Sequence, residues 1–397
     1  MYDEKTIADG LSRLKRKGLF RTLSTLPAVG GKFELDGREI LNFASNDYLD
    51  LAKDARLKEA GQQAIADYGS GATSSRLIAG HLNVHAELED RLAAFMGTQA
   101  ALAYPTGYQC NVGILSTLAG QQDTVFSDEL NHASIVDGCR LSGAHVAVYR
   151  HNSIEHLEDL LNSVTSPGKK IIVSDSVFSM DGDLAPVVHL AELAEQHDAL
   201  LIIDEAHAIG VMGEGRGLCR ERGVTPDVVL GTLSKALGSA GGFAATSDTL
   251  RSLLINRSRS FIFSTGMAPA SAASALAAVH ILDTAPDVGK ELLVRAARFR
   301  ALLRDKGFDV PEDRTQVIPI LIGDNLIAVE VAERLREQGI LVAAVRPPSV
   351  PVGTARLRLS VTMAHMEGDF HRAADALAQA ALAAGVLRPS KKVKDGV

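Results

Sequence analysis

The chain has no tryptophan, only three cysteines in 397 residues, and aromatic side chains at just 5%. Cys110, Cys139 and Cys219 are widely spaced and odd in number. They offer no disulfide framework, so a reducing compartment, the cytoplasm, is the expected setting. Long apolar runs are missing too. The longest candidate, "MAPASAASALAAVHILDTAP", contains Pro269, His280 and Asp283 and reads as a packed helix, not a membrane span. The opening "MYDEKTIADGLSRLKRKGLF" has early acidic residues and no apolar centre, which argues against a secretory leader. Positive charge is not in excess: 41 Lys and Arg face 48 Asp and Glu, for a net −7. That balance argues against a nucleic-acid footprint or a membrane-seeking face. The short basic end "SKKVKDGV" reads as a frayed tail.

Two familiar sites are also missing their parts. The cysteines form no C-x-x-C pair, and His81 and His85, although four residues apart, have no third ligand beside them. A capped helix start explains the histidines better than a metal does. "LIIDEAH" (Leu201 to His207) matches the magnesium-holding strand end of nucleic-acid-stimulated ATPases. That chemistry needs a loop of the form G-x-x-x-x-G-K-[ST]. The Gly-Lys pairs in "GGKFE", "PGKKI" and "VGKEL" are not followed by Ser or Thr. "GSGATS" (Gly69 to Ser74) is a weak dinucleotide fingerprint, since it does not run from a strand into a helix.

With 46% hydrophobic and 22% charged residues, the chain can bury cores for two domains. The pattern suggests an arm over residues 1–45, with Ile7, Leu11 and Leu14 on one helix face. A large domain over 46–285 and a smaller α+β domain over 286–397 follow. The large domain alternates helical stretches with the strand-like runs "AALAYPTG", "DTVFSD", "HVAVYR", "KKIIVSD", "ALLIIDEAH", "DVVLGTL" and "GGFAATS". Runs such as "LLIID" are apolar without alternation, as expected of a mainly parallel sheet covered on both faces. In the last third, "QVIPILIG", "ILVAAV" and "RLRLSVT" read as strands.

Polar residues gather at the ends of these strands, where ligands collect in open α/β sheets. "SVFSMDGD", with Ser179, follows one strand, Asp204 and His207 follow the next, and Thr232 and Lys235 close a third. Lys235 sits in "GTLSKALGSAGG", among residues reduced to Gly, Ala and Ser. A solvated lysine needs no such surroundings. The set suits an aldehyde cofactor that carries a phosphate, pyridoxal phosphate. Lys235 would supply the amine that joins it, and Asp204 would hold a ring nitrogen protonated. His207 and Ser179 would bond a ring oxygen. "PTGYQCN" places the amides of Gly107 and Tyr108 at a helix N-terminus, a natural phosphate seat, to which Thr232 could add a hydroxyl. His132 in "ELNHASIVDG" has two readings on spacing alone: stacking on the ring, or sitting beside the cap of the next helix.

The stretches "SNDYLDL", "GSGATSSRLIAGHLNVHAELE", "DELNHASIVDG", "SVFSMDGDLAP", "IIDEAHAIGVMGEGRG", "GTLSKALGSAGG", "FIFSTGMAPA" and "RPPSVPVGTARLRLSVT" run in order from about residue 20 to 385. Together they resemble the α-oxoamine synthases, pyridoxal-phosphate enzymes of fold type I, the aspartate aminotransferase fold. The resemblance implies a homodimer with shared active sites, in which Ser264 and Thr265 reach the partner's phosphate. "SSRLIAG" and "RPPSVP" are most similar to the branch of biotin synthesis, which condenses L-alanine with pimeloyl-CoA or a pimeloyl carrier protein and releases CO2. The resemblance further implies that Arg346 binds a substrate carboxylate and that His132 meets the acyl carbonyl. Arg21, Asn46 and Ser349 would line the substrate, Ser349 standing where the family usually has threonine. A relative using glycine or serine with another acyl-CoA is the alternative.

Overall fold

A computed structural model of the chain describes residues 3–165, 167–312 and 315–387; the basic tail lies outside the described residues. The described chain falls into two compact units. One comprises residues 46–179 and 183–292; the other combines the N-terminal 45 residues, residues 180–182 and the chain from 293 onward.

In chain order the second unit opens with helix α1 (Glu4–Arg16) and the strands β1 (Lys32–Leu35) and β2 (Arg38–Asn42). The large unit then supplies helices α2 (Ala55–Tyr68), α3 (Asn83–Met96), α4 (Gly107–Leu118) and α5 (Ala133–Ser142). Its strands are β3 (Ala100–Tyr104), β4 (Thr124–Asp128), β5 (His145–Tyr149), β6 (Lys170–Asp175), β7 (Ala199–Asp204), β8 (Val228–Thr232) and β9 (Gly242–Thr246). These seven strands, the ones expected from the apolar runs, form one sheet in the order β3-β9-β8-β7-β6-β4-β5. Only β9 runs antiparallel to its neighbours β3 and β8, and the other pairs are parallel. β3, β4, β8 and β9 are buried at every position, which is why their sequences do not alternate.

Ile114 and Leu115 of α4 and Ile135 and Cys139 of α5 pack on Ile171, Val173, Ile202, Val228 and Leu230 of the sheet. Each such large apolar side chain contributes about 1.5–3 kcal/mol. Those contacts fix the axis of α4, and with it the direction of its first amides. The helix starts at Gly107 because Thr106 caps it, its hydroxyl accepting from the Gln109 amide at 3.1 Å. β6 and β7 pair in register at their last residues, Asp175 opposite Asp204. The parallel strands β6, β7 and β8 thus deliver polar side chains at their carboxyl ends, on one side of the sheet.

The other unit carries two three-stranded sheets. β2 pairs antiparallel with β1 and parallel with β11 (Ile340–Leu341). β10 (Val317–Gly323) and β12 (Ala343–Val345) flank β13 (Ala355–Ser360), both antiparallel. The run "ILVAAV", read as one strand, is therefore two: the chain leaves one sheet at Val342 and enters the other. Ile7, Leu11 and Leu14 share α1, as their spacing requires, and are 44%, 44% and 40% exposed. The Ala-rich stretch near residue 280 forms a helix over Pro269–Thr284, burying Ala272, Ala275 and Val279. No helix among the described residues is long and apolar enough to cross a membrane.

Candidate active site

Lys235 lies just past β8 and is half-buried. Its Nζ is 2.8 Å from His207 Nε2. His207 Nδ1 is in turn 2.6 Å from the Tyr48 hydroxyl, which donates to Asn46 Oδ1 at 3.3 Å. The small residues after the lysine have a steric reason. Gly238 has φ +62°, and a Cβ there would lie 2.5 Å from the Ala52 amide nitrogen. Ala236 is buried against Gly210, where a Cβ would come within 2.5 Å of the alanine methyl. The loop is pressed onto its own domain, which leaves the lysine head facing His207.

One strand over, Asp204 is buried, and each of its oxygens accepts a hydrogen bond. Its Oδ1 accepts from the Ala206 amide at 2.9 Å and its Oδ2 from Asn111 Nδ2 at 2.6 Å. Asn111 also donates to Ser134 Oγ at 2.9 Å, and Ser134 Oγ is 2.7 Å from His132 Nδ1. His132 is itself the N-cap of α5, its Nδ1 accepting the Ser134 amide at 3.2 Å. The spacing suggests a place beside the cap; the structure makes His132 the cap itself. Burial lowers the His132 pKa, with the Asp204 charge opposing and the Lys235 charge assisting. The His132 amide donates to Asp175 Oδ2 at 2.7 Å. Burial, and then the nearby Asp204 charge, pushes the Asp175 carboxyl well above its ordinary range. Asp204, Asp175, His132 and Lys235 therefore sense one another electrostatically.

The first turn of α4 forms a cradle beside β8. A Cβ added to Gly107 would lie 3.5 Å from Thr232 Oγ1, the nearest atom, so the glycine keeps that space open. The Thr232 hydroxyl donates to the Gly241 carbonyl at 3.0 Å and is 2.8 Å from Ser234 Oγ. Ser234 is exposed. Tyr108 is half exposed, and its hydroxyl donates to Asp137 at 2.6 Å. Ser264 accepts from Gln109 Nε2 at 3.1 Å, and its neighbour Thr265 makes an isolated bridge to Ser75. Ser179 lies in the turn after β6.

The acidic residue that completes the ATPase-like motif has another job. The Glu205 carboxylate accepts from the Leu218 and Cys219 amides at 2.9 and 2.7 Å and from the Ser176 hydroxyl at 2.7 Å. It is wholly buried, and burial raises its pKa. It holds a loop instead of facing a ligand. His85 accepts the Leu82 amide at the start of α3, and its Nε2 is 2.8 Å from the Met267 carbonyl. His81 Nδ1 accepts from Arg76 at 2.8 Å. Among the described residues no group of three or more His, Cys, Asp or Glu could hold a metal ion.

In the other unit, the Arg346 guanidinium donates to the Gly18 carbonyl at 2.6 Å, while its buried Nε has no partner. Arg21 donates to the Pro347 carbonyl at 3.2 Å. Burial, and secondarily the Arg21 charge, lowers the Arg346 pKa. Ser349 is exposed, its amide bonded to the Arg346 carbonyl. The two guanidiniums make a cationic pair in which one donor edge is unspent.

The sequence assigns no role to Tyr48, Asn111, Ser134, Asp175 or Ser234. Ser234 adjoins Lys235 and Asp175 ends a strand like Asp204, so both had a positional signal. The other three meet their partners only in space.

The aminotransferase class I and II profile matches residues 38–377. The 8-amino-7-oxononanoate synthase of Geobacter sulfurreducens is 46% identical over 391 residues, spanning 96% of this chain and all of that protein. A serine palmitoyltransferase variant from S. paucimobilis, solved with a bound PLP–myriocin aldimine, is 30% identical. It superposes with a TM-score of 0.91 over 96% of this chain and 98% of its own. An 8-amino-7-oxononanoate synthase from Francisella tularensis is 27% identical, with a TM-score of 0.74 over 86% and 97% of the two chains.

Proposed function

The chain belongs to the aminotransferase class I and II family, a pyridoxal-phosphate enzyme of fold type I, and from that premise we propose that it condenses L-alanine with a pimeloyl thioester. The products would be 8-amino-7-oxononanoate, CO2 and the free thiol. The residues fit the cofactor. The α4 amides and the open face of Gly107 suit a phosphate, the buried Asp204 suits a protonated ring nitrogen, and Lys235 suits its aldehyde. Thr232, Tyr108, Ser179 and His207 complete the proposed contacts, and Ser264 and Thr265 of a second copy would add to the phosphate in a homodimer.

When bound, the cofactor supplies an electron sink for the charge left at the amino acid's α-carbon. The chain's own groups do the rest. Lys235, held against His207, takes the α-proton as general base and later returns one. Asn111 and the Ala206 amide fix the two Asp204 oxygens in place, so the carboxylate is set to hold a proton on the ring nitrogen. His132 donates a hydrogen bond to the acyl carbonyl, where negative charge develops. Arg346 binds a carboxylate through its planar fork, with Arg21, Asn46 and Ser349 as further substrate contacts.

The observation that carries this reading is the 2.8 Å approach of Lys235, just past β8, to His207, just past the Asp204 end of the neighbouring β7. The second reading, a relative using glycine or serine with another acyl-CoA, draws on the likeness to serine palmitoyltransferase. The 46% identity to a synthase against 30% to the palmitoyltransferase ranks it second. Thiol release by cofactor-loaded protein, with glycine, alanine or serine each paired with acetyl-, pimeloyl- or palmitoyl-CoA, tests the choice. Release confined to alanine with pimeloyl-CoA supports the proposal, and preference for another pair replaces it.

A further inference from the structure

The cap of α5 determines which nitrogen of His132 carries a proton. A backbone amide can only donate, so the Ser134 N–H meeting Nδ1 at 3.2 Å requires a lone pair there. The Ser134 hydroxyl approaches the same nitrogen at 2.7 Å. Its oxygen accepts from Asn111 Nδ2 at 2.9 Å, and the other hydrogen of that amide goes to Asp204 Oδ2 at 2.6 Å. A carboxamide nitrogen has two hydrogens and accepts nothing. Both are spent, which leaves the Ser134 proton to point at Nδ1. Every direction along the path is therefore set: Asn111 donates to Asp204 and to Ser134, and Ser134 donates to His132.

With Nδ1 accepting, the single proton of neutral imidazole sits on Nε2. An imidazolium would lose the cap and face the positive end of the helix dipole. Burial opposes it as well. Ser134 is 1% and Asn111 5% exposed, so water competes little for these bonds.

We propose that Ser134, backed by Asn111, is a positioning residue that holds His132 neutral with its proton on Nε2, so that His132 serves the acyl carbonyl as a hydrogen-bond donor and not as a base. The inference rests on the reading above, in which His132 meets the acyl group. It adds to that reading by assigning the histidine's tautomer and the side chains that impose it.

Nitrogen NMR of the full chain, free of cofactor and labelled in histidine, reads the tautomer directly once the His132 signals are assigned by their loss in His132→Gln. The expected wild-type result at neutral pH is a protonated Nε2 and an unprotonated Nδ1. Ser134→Ala loses the hydroxyl donor but keeps the backbone one, so it should weaken the preference and admit a minor population protonated on Nδ1. Ser134→Thr, which keeps the hydroxyl, should restore a single tautomer. In the loaded enzyme, Ser134→Ala should lower kcat about tenfold, the worth of roughly one hydrogen bond, with KM for the amino acid unchanged and recovery in Ser134→Thr. A wild-type His132 protonated on Nδ1, or on both nitrogens, would overturn the proposal. So would a Ser134→Ala variant with tautomer and kcat both unaltered. The NMR arm needs no turnover, so a wrong substrate assignment and a wrong tautomer are told apart.

Discussion

Lys235 Nζ and His207 Nε2 lie 2.8 Å apart at the ends of adjacent strands, 28 residues apart in sequence. A lysine that is half-buried and faces an imidazole is placed to share a proton, not to solvate a surface. Lys235→Ala should leave the fold intact and lower turnover by at least about a thousandfold. Steady-state kinetics with a melting curve as control checks this. Turnover near wild type would remove Lys235 from the chemistry.

Asp204→Asn keeps the shape of the side chain and removes its charge. Pyridoxal phosphate should still bind, while kcat drops by roughly 10²–10³, as for loss of a preorganised electrostatic group. Cofactor content by absorbance and kcat from the same preparation measure the two effects separately. Full activity in the variant would contradict the role given to Asp204.

Two glycines at the cradle should separate fold from ligand. A Cβ at Gly107 meets nothing closer than Thr232 Oγ1 at 3.5 Å, whereas at Gly242 it would lie 2.5 Å from the backbone of Gly107. Gly107→Ala should therefore keep the melting temperature and weaken cofactor binding tenfold or more, about 1.4 kcal/mol. Gly242→Ala should lower both stability and binding. Unchanged cofactor affinity in Gly107→Ala would place the phosphate elsewhere.

His151 bridges two carboxylates, Nδ1 to Asp128 at 2.9 Å and Nε2 to Asp183 at 2.7 Å. Burial alone would lower its pKa, but the hydrogen bonds to both carboxylates outweigh it and push it up to about 10. A pKa raised in the folded state stabilises fully below the unfolded value, about 6.5 for histidine. That contribution then fades as pH rises, and is gone above about 10. The stability lost in His151→Gln should thus be largest near pH 6 and shrink steadily towards pH 10, read from urea midpoints. A pH-independent difference would contradict the charged bridge.

The sheet was legible because doubly covered parallel strands write themselves as unbroken apolar runs, each ending at a polar residue. That same punctuation marked Asp204, His207, Thr232 and Lys235. The run "ILVAAV" misled because its apolar pattern is continuous, while the strand's change of sheet at Val342 is decided by partners elsewhere. Tyr48 reaches His207 across 159 residues and Asn111 reaches Asp204 across 93. Nothing local in "SNDYLDL" or "GYQCNVG" announces those bonds, since a buried Tyr or Asn is specified by the fold that satisfies it. The cap that His132 makes is a bond to the residue two positions on, so it was within reach of the spacing in "NHAS".

Whether Lys235 holds the cofactor is read most directly by peptide mapping. Protein loaded with pyridoxal phosphate, reduced with borohydride and digested, should carry the cofactor's mass on Lys235 in the peptide containing "GTLSKALGSAGG". A label on another lysine, or no label on a chain that binds the cofactor, would contradict the account.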